Sequence, residues 1–463
     1  MPDAKNDSFA KLKLSAEHLA NLERLGYSAM TPIQAKSLPH ILARKDVIGQ
    51  AKTGSGKTAA FGLGVLQNID PRRLAVQGLI LCPTRELADQ VGKELRRLAQ
   101  ATPNIKLVVL CGGKPFGPQK ASLQHGAHIA VGTPGRVLDH LSRKTLALAS
   151  LRTLVLDEAD RMLDMGFADD MQHIVERTPK KRQTLLFSAT YPPTIRKLSA
   201  AIQDNPVSVT VESQHQAGVI EQLFYEVAKH ERNNTLLALF EHYRPESTLV
   251  FCHTKKQCDE VAVLLNQNRI QALAIHGDLE QRDRDRVLLR FANRSCAVLV
   301  ATDVAARGLD VKSLQAVINH ELPRDPELYV HRIGRTGRAG EKGLALSIFT
   351  QGEQVRVNAI EAFTKETAIC DHLQSLDRQP DLKIYAPMTT LEINAGRKNK
   401  VRPGDILGAL TGDAQLPGAA IGKIDIFDMA SFVAIETSLV RQALDYLDGG
   451  KVKGRAVRAR TVS

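Results

Sequence analysis

The segment AKTGSGKT, at residues 51–58, has the residue types of a phosphate-binding loop. Its glycines allow backbone N–H groups to turn inward onto phosphate oxygens. Lys57 is then placed to reach the terminal phosphates of a nucleotide, and Thr58 offers a hydroxyl for Mg²⁺. The general pattern GxxxxGK[ST] has glycine where this chain has Ala51, so a glycine-rich turn between a strand and a helix remains an alternative.

A second group of candidate residues is acidic. The segment LDEAD, at residues 156–160, directly follows an apolar run. Asp157 is placed to hold Mg²⁺ through its water shell, and Glu158 to orient and deprotonate an attacking water. Taken alone, acidic residues after a strand often only cap a helix. Their position about 100 residues after the loop, in the same predicted sheet, favours phosphoryl transfer.

A third group consists of arginines in YVHRIGRTGRAG, at residues 329–340. Arg335 and Arg338 carry planar guanidinium groups, which can bind phosphate bidentately and which stay charged. Arginines at this spacing are more often solvated surface charges. Together with a phosphate-binding loop in another domain, they are predicted to act on the nucleotide when the two domains close.

The elements that must position these residues follow from an alternation of short apolar runs with helical stretches over the first 370 or so residues. Such runs predict parallel sheets covered on both faces, whose ligands gather at the carboxyl ends of the strands. The pattern restarts after residues 202–218, which are interpreted as a linker, so two α/β units in tandem are predicted. The runs are GLILCPT (78–84), IKLVVLCGG (105–113), HIAVGTP (128–134), TLVLDEAD (153–160), TLLFSAT (184–190), STLVFCHT (247–254), QALAIHGD (271–278), AVLVATD (297–303), AVINHELP (316–323) and GLALSIFT (343–350).

The pattern changes after Gln379-Pro380. Strands are predicted at 389–396, on both sides of a turn within 423–436, and at 454–462. Helices are predicted at 402–410 and 438–447. This βαββαβ order is the split-βαβ arrangement, which includes the RNA-recognition fold. The last segment, KVKGRAVRARTVS, contains five basic residues and no acidic residue.

Composition limits the class of protein. The chain has 463 residues, enough for two to four domains, and 62 Lys and Arg against 50 Asp and Glu give a net charge of +12. A basic excess attracts nucleic acid or anionic lipid, or is simply a solvated surface. Because only 4% of residues are aromatic and none is Trp, phosphate contacts are favoured over base stacking.

The sequence also predicts a cytoplasmic protein. It contains no run of about 18 apolar residues and no apolar leader of about 7–15 residues at its start, so neither a membrane span nor a secretory signal is expected. The six cysteines are scattered without a CxxC pair, which is typical of reduced thiols. Nothing indicates a coiled coil or a repeat, so a monomer is expected.

Over residues 9–350 the chain resembles the DEAD-box RNA helicases. The resemblance rests on an ordered set of motifs in both α/β units, whose joint occurrence makes coincidence negligible. The motifs are GYSAMTPIQ (26–34), AKTGSGKT (51–58), PTRELADQ (83–90), CGG (111–113), TPGR (133–136), LDEAD (156–160), SAT (188–190), VFCHT (250–254), HGDLEQRDR (276–284), ATDVAARGLD (301–310) and HRIGRTGR (331–338).

The resemblance implies a role for each matching residue. Catalysis would depend on Lys57, Asp157, Glu158, Arg335 and Arg338, with Mg²⁺ at Thr58 and Asp157. ATP would contact Phe9, Gln34, Ala51, Lys52, Thr53, Gly54, Ser55, Gly56, Lys57, Thr58 and Asp310. RNA would contact Arg85, Gly113, Arg136, Thr254, Gly277, Arg284 and Thr302. Ser188 and Thr190 would couple hydrolysis to strand separation.

The tail is similar to that of a bacterial subgroup of the family, in which it binds a hairpin of 23S ribosomal RNA in the large-subunit precursor. The usual aromatic consensus of RNA-recognition domains is poorly kept, since MASFVAIE (429–436) offers only Phe432. The basic loop is therefore the better candidate for RNA binding, although a solvated loop on a small α+β domain remains open. Its basic residues are Arg397, Lys398, Lys400 and Arg402.

The predicted fold is α/β, with two tandem RecA-like parallel-sheet domains followed by a small α+β, RNA-recognition-like domain. The predicted limits are 1–205 for the first domain, 206–218 for the linker, 219–370 for the second domain and 380–463 for the tail.

The predicted function is an ATP-dependent RNA helicase that binds 23S rRNA and locally unwinds short rRNA helices during assembly of the large ribosomal subunit. One alternative is a general RNA-remodelling helicase without rRNA specificity. Another is an RNA-binding clamp whose ATP site only sets affinity, although the presence of Glu158 and both arginines argues against it. The preference for RNA over DNA follows from the family resemblance.

Overall fold

The computed structural model describes residues 8–51, 54–211, 220–306, 314–337, 342–378 and 381–462. Its contacts divide the chain into two units, Met1–His215 and Gln216–Ser463. We call residues 8–211 the first lobe, 220–371 the second lobe, 372–387 the connector and 388–462 the tail domain. The second lobe and the tail domain thus belong to one unit.

The first lobe is a parallel sheet of seven strands in the order β3-β4-β2-β5-β6-β1-β7. The strands are β1 (Val47–Gln50), β2 (Gly78–Leu81), β3 (Leu107–Leu110), β4 (Ile129–Gly132), β5 (Thr153–Asp157), β6 (Gln183–Ser188) and β7 (Val207–Thr210). The helices are α1 (Ala16–Arg24), α2 (Pro32–Leu42), α3 (Lys57–Gln67), α4 (Arg85–Leu98), α5 (Phe116–Gln124), α6 (Pro134–Ser142), α7 (Ala159–Asp164), α8 (Ala168–Glu176) and α9 (Pro193–Ile202).

Apolar side chains cover both faces of this sheet. Along β2, Leu79 and Leu81 pack into one core cluster and Ile80 into another on the opposite face. Successive strand residues point to opposite faces, so only a continuous apolar run can fill both cores. This accounts for the runs found in the sequence.

The second lobe repeats the same arrangement, with parallel strands in the order β10-β11-β9-β12-β13-β8-β14. The strands are β8 (Ile220–Glu226), β9 (Thr248–Phe251), β10 (Ala272–Ile275), β11 (Val298–Ala301), β12 (Ala316–Asn319), β13 (Gly343–Phe349) and β14 (Ile369–Asp371). The helices are α10 (Arg232–Tyr243), α11 (Lys255–Gln267), α12 (Gln281–Ala292), α13 (Asp303–Ala306), α14 (Pro326–Ile333) and α15 (Gln354–Thr364).

The tail domain is an antiparallel sheet in the order β16-β17-β15-β20, packed against two helices. Its elements are β15 (Met388–Ile393), α16 (Pro403–Gly408), β16 (Ile421–Ile426), β17 (Ser431–Glu436), α17 (Val440–Gly449), β18 (Lys451–Val452), β19 (Arg455–Ala456) and β20 (Ala459–Thr461). The four sheet strands and two helices follow the predicted βαββαβ order, and the predicted fold class is confirmed.

Two local predictions need correction. Val207–Thr210, placed in the linker, forms β7 and pairs with β1 at the edge of the first sheet. Residues 212–218 of that predicted linker lie outside the described residues. The single last strand predicted at 454–462 is broken, since Arg455–Ala456 pairs with β18 and only Ala459–Thr461 joins the sheet. The predicted domain limits stay a prediction.

The strand that leads into the phosphate-binding loop is sensitive to added volume. A methyl group at Gly49 in β1 would lie 2.4 Å from Cε1 of Phe187, whose ring is fully buried. We expect Gly49→Ala to lower the free energy of unfolding of the first lobe by roughly 1–3 kcal/mol through overpacking. Urea unfolding measures the change. Gly117→Ala in α5 is the control, because nothing lies within 4 Å of the added methyl group; equal losses in both variants would contradict the overlap.

Candidate functional site

The phosphate-binding loop connects β1 to α3. The loop glycines Gly54 and Gly56 have φ values of +82° and +94°, a left-handed conformation that favours glycine. Lys57, the first residue of α3, is buried, and its Nζ donates a hydrogen bond to the Ala51 carbonyl at 2.8 Å. This bond spans the loop and holds the ammonium group inside it. Lys52 and Thr53 lie outside the described residues.

Gln34 joins the loop to helix α2. Its Oε1 accepts a hydrogen bond from Thr31 N at 2.9 Å, and its Nε2 donates to the Gly56 carbonyl at 3.0 Å. In the part of the chain that the structure describes, Thr31 Oγ1 and Ser55 Oγ are buried without a hydrogen-bond partner. Buried hydroxyls are usually paired, so these two atoms point to a polar ligand at the loop.

Phe9 lies in the short turn Phe9–Lys11 and is buried. Its ring packs edge-on against that of Tyr27, with centroids 6.1 Å apart. A cavity of about 530 Å³ is lined by both rings, with Leu22 and Gly26 among the other residues. The residue predicted to stack on adenine therefore lines a cavity of the first lobe.

The acidic pair lies at the carboxyl end of β5. Burial raises the pKa of Asp157 to about 7; the Lys57 charge opposes this rise and Glu158 adds to it. Asp157 Oδ1 is buried and has no partner among the described residues. Glu158 adopts a left-handed backbone with φ of +52°, a conformation that costs a non-glycine residue of order 1–3 kcal/mol. Such strain is typical of functional positions.

Asp160, which the sequence analysis left without a role, links this acidic segment to the predicted coupling residues. Its Oδ2 accepts hydrogen bonds from Thr190 N at 3.1 Å and Thr190 Oγ1 at 3.0 Å. Its own N–H donates to Ser188 Oγ at 3.4 Å. The end of β5 and the end of β6 are therefore tied together by one buried carboxylate. Its place in the LDEAD segment was the only sequence signal.

The RNA-contact residues predicted in the first lobe gather at the ends of the three strands β3, β4 and β2. Arg85 follows β2, Gly113 follows β3 and Arg136 follows β4. A methyl group on Gly112 would lie 3.2 Å from Arg85 Nη2, and Arg136 Nη1 donates to the Lys114 carbonyl at 3.1 Å. The structure thus brings this predicted set together.

The second lobe gathers its predicted RNA-contact residues in the same way, at the ends of β10, β11 and β9. Thr254 follows β9 and caps α11, its Oγ1 accepting from Gln257 N at 3.2 Å. Gly277 follows β10, and Thr302 follows β11. Arg284 of α12 donates from Nη2 to the carbonyl of Ala305 at 3.3 Å, close to Thr302 in the chain.

The arginine-rich segment is organised by Arg332, another residue that sequence reasoning missed. Arg332 is 1% exposed, and its guanidinium binds Asp303 bidentately at 2.7 and 2.8 Å. It also donates to Asn319 Oδ1 at 2.9 Å and to the Glu321 carbonyl at 2.7 Å. The available signal was that Asp303 and Arg332 adjoin predicted site residues.

Arg335 lies one turn further on and is buried, with its N–H bonded to the Arg332 carbonyl at 3.1 Å. Arg332 therefore fixes the backbone from which Arg335 extends. Arg338 and Asp310 lie outside the described residues.

The basic loop of the tail domain is attached to the turn between β16 and β17. Arg397 N donates to the Phe427 carbonyl at 2.7 Å, and Lys398 N donates to the Asp428 carbonyl at 2.9 Å. The side chain of Phe427 is 50% exposed beside these two cations. Backbone bonds thus hold the loop while its cationic side chains face solvent.

The remaining cations of the loop are tied to the last part of the chain. Lys453 Nζ donates to the Lys400 carbonyl at 2.8 Å and lies 3.5 Å from Asp405 Oδ2. Arg402 N donates to the same carboxylate oxygen at 2.8 Å. Basic groups from two separate segments therefore share one surface.

The open face of the tail sheet has a different character. Asp425, Phe432, Glu392 and Arg460 lie side by side across the four strands. Arg460 donates to Glu392 Oε2 from both Nε and Nη2, at 3.0 and 2.8 Å. Two carboxylates on this face disfavour phosphate binding there, in agreement with the expectation that base stacking on the sheet is limited.

Two further properties concern the described residues alone. None of their helices is long and apolar enough to cross a membrane. Nor do they contain a group of three or more His, Cys, Asp or Glu side chains that could hold a metal ion.

A parallel sheet that occurs twice in the same strand order, with a phosphate-binding loop and an acidic strand end on the first copy, is the architecture of two-lobed helicases. Three family models match the chain: DEAD/DEAH box helicase over residues 31–198, Helicase conserved C-terminal domain over 231–340, and DbpA RNA binding domain over 390–461. The chain belongs to the DEAD-box ATP-dependent RNA helicases, so it uses ATP and binds RNA.

Similar proteins share this architecture. The chain is 53% identical over 448 residues to the ATP-dependent RNA helicase DbpA of Escherichia coli (strain K12), covering 96% of this chain and 97% of that protein. It is 45% identical over 359 residues to the DEAD-box ATP-dependent RNA helicase CshA of Bacillus cereus, covering 77% of this chain and 68% of that protein. Among solved structures, S. cerevisiae Dbp5 bound to RNA and ADP BeF3 matches with a TM-score of 0.73 and 30% identity, covering 80% of this chain and 96% of that chain.

The buried Arg332 fork gives a prediction about stability. Arg332→Gln removes the charge and leaves Asp303 and Asn319 without their donor, so we expect the free energy of unfolding of the second lobe to fall by roughly 3 kcal/mol or more. Chemical denaturation measures the change. Arg378→Gln is the control, because Arg378 forms an exposed ion pair with Glu241 worth about 1 kcal/mol or less. Equal losses would show that the Arg332 network contributes little.

Proposed function

We propose that this helicase recognises 23S ribosomal RNA through its tail domain and locally unwinds short rRNA helices during assembly of the large ribosomal subunit. The observation that carries the proposal is the basic surface of the tail domain, built from a loop held by backbone bonds and from Lys453. The similarity to DbpA over almost the whole length of both chains supports the same conclusion.

In the first lobe, we propose that Lys57 binds the terminal phosphates of ATP and that Glu158 orients the attacking water and takes its proton. Lys57 is held inside the loop, and Glu158 directly follows the end of β5. Both groups act on charge that develops at the transferred phosphoryl group, where positioned charges are most effective. Gln34, which bonds to the loop at Gly56, would read the base edge.

The same site fits a Mg²⁺ ion. Asp157 Oδ1 is buried without a partner among the described residues, and Thr58 adds a hydroxyl oxygen. Mg²⁺ prefers oxygen ligands and usually keeps several waters, binding through one or two protein groups plus substrate phosphates. When bound, it would neutralise charge on the phosphates.

From the second lobe, we propose that Arg335 and Arg338 contribute charge to the same nucleotide and that Asp310 contacts its ribose. A guanidinium that reaches the γ-phosphate is worth about 10³–10⁵ in turnover. Hydrolysis should therefore depend on both lobes and on the RNA that brings them together. The RNA-contact residues at the ends of β3, β4, β2, β10, β11 and β9 would bind that RNA.

The phosphate-binding lysine provides the first test. We expect Lys57→Ala to lower RNA-stimulated ATP hydrolysis by roughly 10²-fold or more, because the charge that stabilises the phosphates is lost. Binding to a 23S rRNA hairpin should stay unchanged, since the tail domain is untouched. Steady-state ATPase assays and filter binding measure the two quantities, with the exposed Lys229→Ala as the control. Undiminished turnover would contradict the role of Lys57.

The basic loop provides the second test. We expect Arg397→Glu with Lys398→Glu to abolish the preference for a 23S hairpin over unrelated RNA of equal length. The slope of log affinity against log salt should also fall by roughly 0.7–0.9 for each RNA phosphate that the variant no longer binds. Arg441→Glu on α17, an exposed charge of the same domain, is the control. A double variant with full preference would reject the loop, and a parent protein with equal affinity for both RNAs would favour a general RNA remodeller.

A further inference from the structure

The connector between the second lobe and the tail domain lies on the second lobe. Leu376 and Ile384 are buried in the core cluster of that lobe. Ile384 forms a parallel bridge with Ile270, and Gln271 N donates to the Ile384 carbonyl at 2.8 Å. A connector held by buried side chains and backbone bonds has lost the freedom of a loose tether.

The first strand of the tail domain then meets the second lobe through buried polar groups. Thr390 is 1% exposed, and its Oγ1 hydrogen-bonds to Ser295 Oγ at 2.7 Å. Asn293 Nδ2 donates to Thr390 Oγ1 at 3.4 Å, and both Asn293 and Ser295 are buried. We call these three residues the seat. Hydrogen bonds of this kind fix one geometry, because a displaced partner leaves a buried polar atom unpaired.

The seat is distinct from the core of the tail domain. In β15, Leu391 and Ile393 point into that core, whereas Thr390 belongs to the opposite face of the strand. Substitution of Thr390 therefore changes the contact with the second lobe while the tail core keeps its packing.

Helix α12 connects the seat to the predicted RNA contacts of the second lobe. It carries Arg284 near its beginning and ends directly before Asn293. The nine residues between them correspond to about 14 Å along the helix axis. The same rigid element thus reaches both the strand ends of the second sheet and the tail domain.

We propose that the seat makes the second lobe and the tail domain one rigid body, so that RNA held by the basic loop lies at a fixed distance from the duplex being opened. Asn293, Ser295 and Thr390 are then positioning residues that select which helix is unwound. This inference rests on the proposed function of the tail domain. Rigid attachment replaces a range of linker-allowed distances by one.

The rigid body can be tested without RNA. Cys370 is exposed in β14 while the other five cysteines are buried, so one spin label attaches there and a second at Ser438→Cys in the tail domain. We expect a single narrow distance distribution in the parent protein. Thr390→Asp places a charge in the seat only when the domains are docked, so it should favour the undocked state by roughly tenfold or more and broaden the distribution.

The consequence for RNA is tested with substrates that place a short duplex at increasing numbers of nucleotides from a 23S hairpin. The parent protein should unwind best at one spacing. Thr390→Asp should flatten this dependence, with hairpin affinity and kcat on saturating RNA without the hairpin unchanged. The milder Thr390→Val, which leaves Ser295 and Asn293 without their partner, should give an intermediate result.

Thr389→Asp is the matched control, because the hydroxyl of Thr389 bonds to Thr437 within the tail domain at 3.1 Å. It should behave like the parent in both assays. A broad distribution in the parent, or a narrow one together with an unchanged spacing optimum in Thr390→Asp, would overturn the proposal. A parent protein with no hairpin preference would refute the proposed function and the spacing effect, whereas the label distances report on the seat separately.

Discussion

All strands of the two large sheets run in one direction, and this common direction is the constraint on which the rest of the structure depends. Parallel strands bring every strand-to-helix loop to the same edge of a sheet. In the first lobe, the ends of β5, β6 and β1 carry the acidic pair, the coupling residues and the phosphate-binding loop. The ends of β3, β4 and β2 carry the RNA-contact residues. Neighbouring halves of one edge thus hold the two ligands of a helicase.

Much of the fold could be predicted because a sheet buried on both faces leaves an unambiguous record of apolar runs. The strands that escaped prediction lack such runs. β7 has only Val209 buried, and β14 consists of three residues at an edge, so neither has two cores to fill. The broken last strand of the tail domain escaped for another reason: its residues pair with two different partners, a choice that tertiary contacts make.

The site was predictable wherever a residue type has a chemistry of its own, as for Lys57, Glu158 and the glycines of the loop. Asp160, Arg332 and Thr390 were missed because their importance lies in what they contact. Asp160 joins two strand ends, Arg332 holds several groups in place, and Thr390 fixes a domain. Such partners are set by the folded chain and leave no pattern in the sequence.

The left-handed backbone of Glu158 has a practical consequence for protein engineering. Glycine would relieve the backbone at this position without a large side chain to accommodate. A search that ranks substitutions by thermal stability alone would therefore select glycine there and discard the carboxylate. Variants chosen for heat resistance should be screened for turnover at the same time, because at this residue the two properties oppose each other.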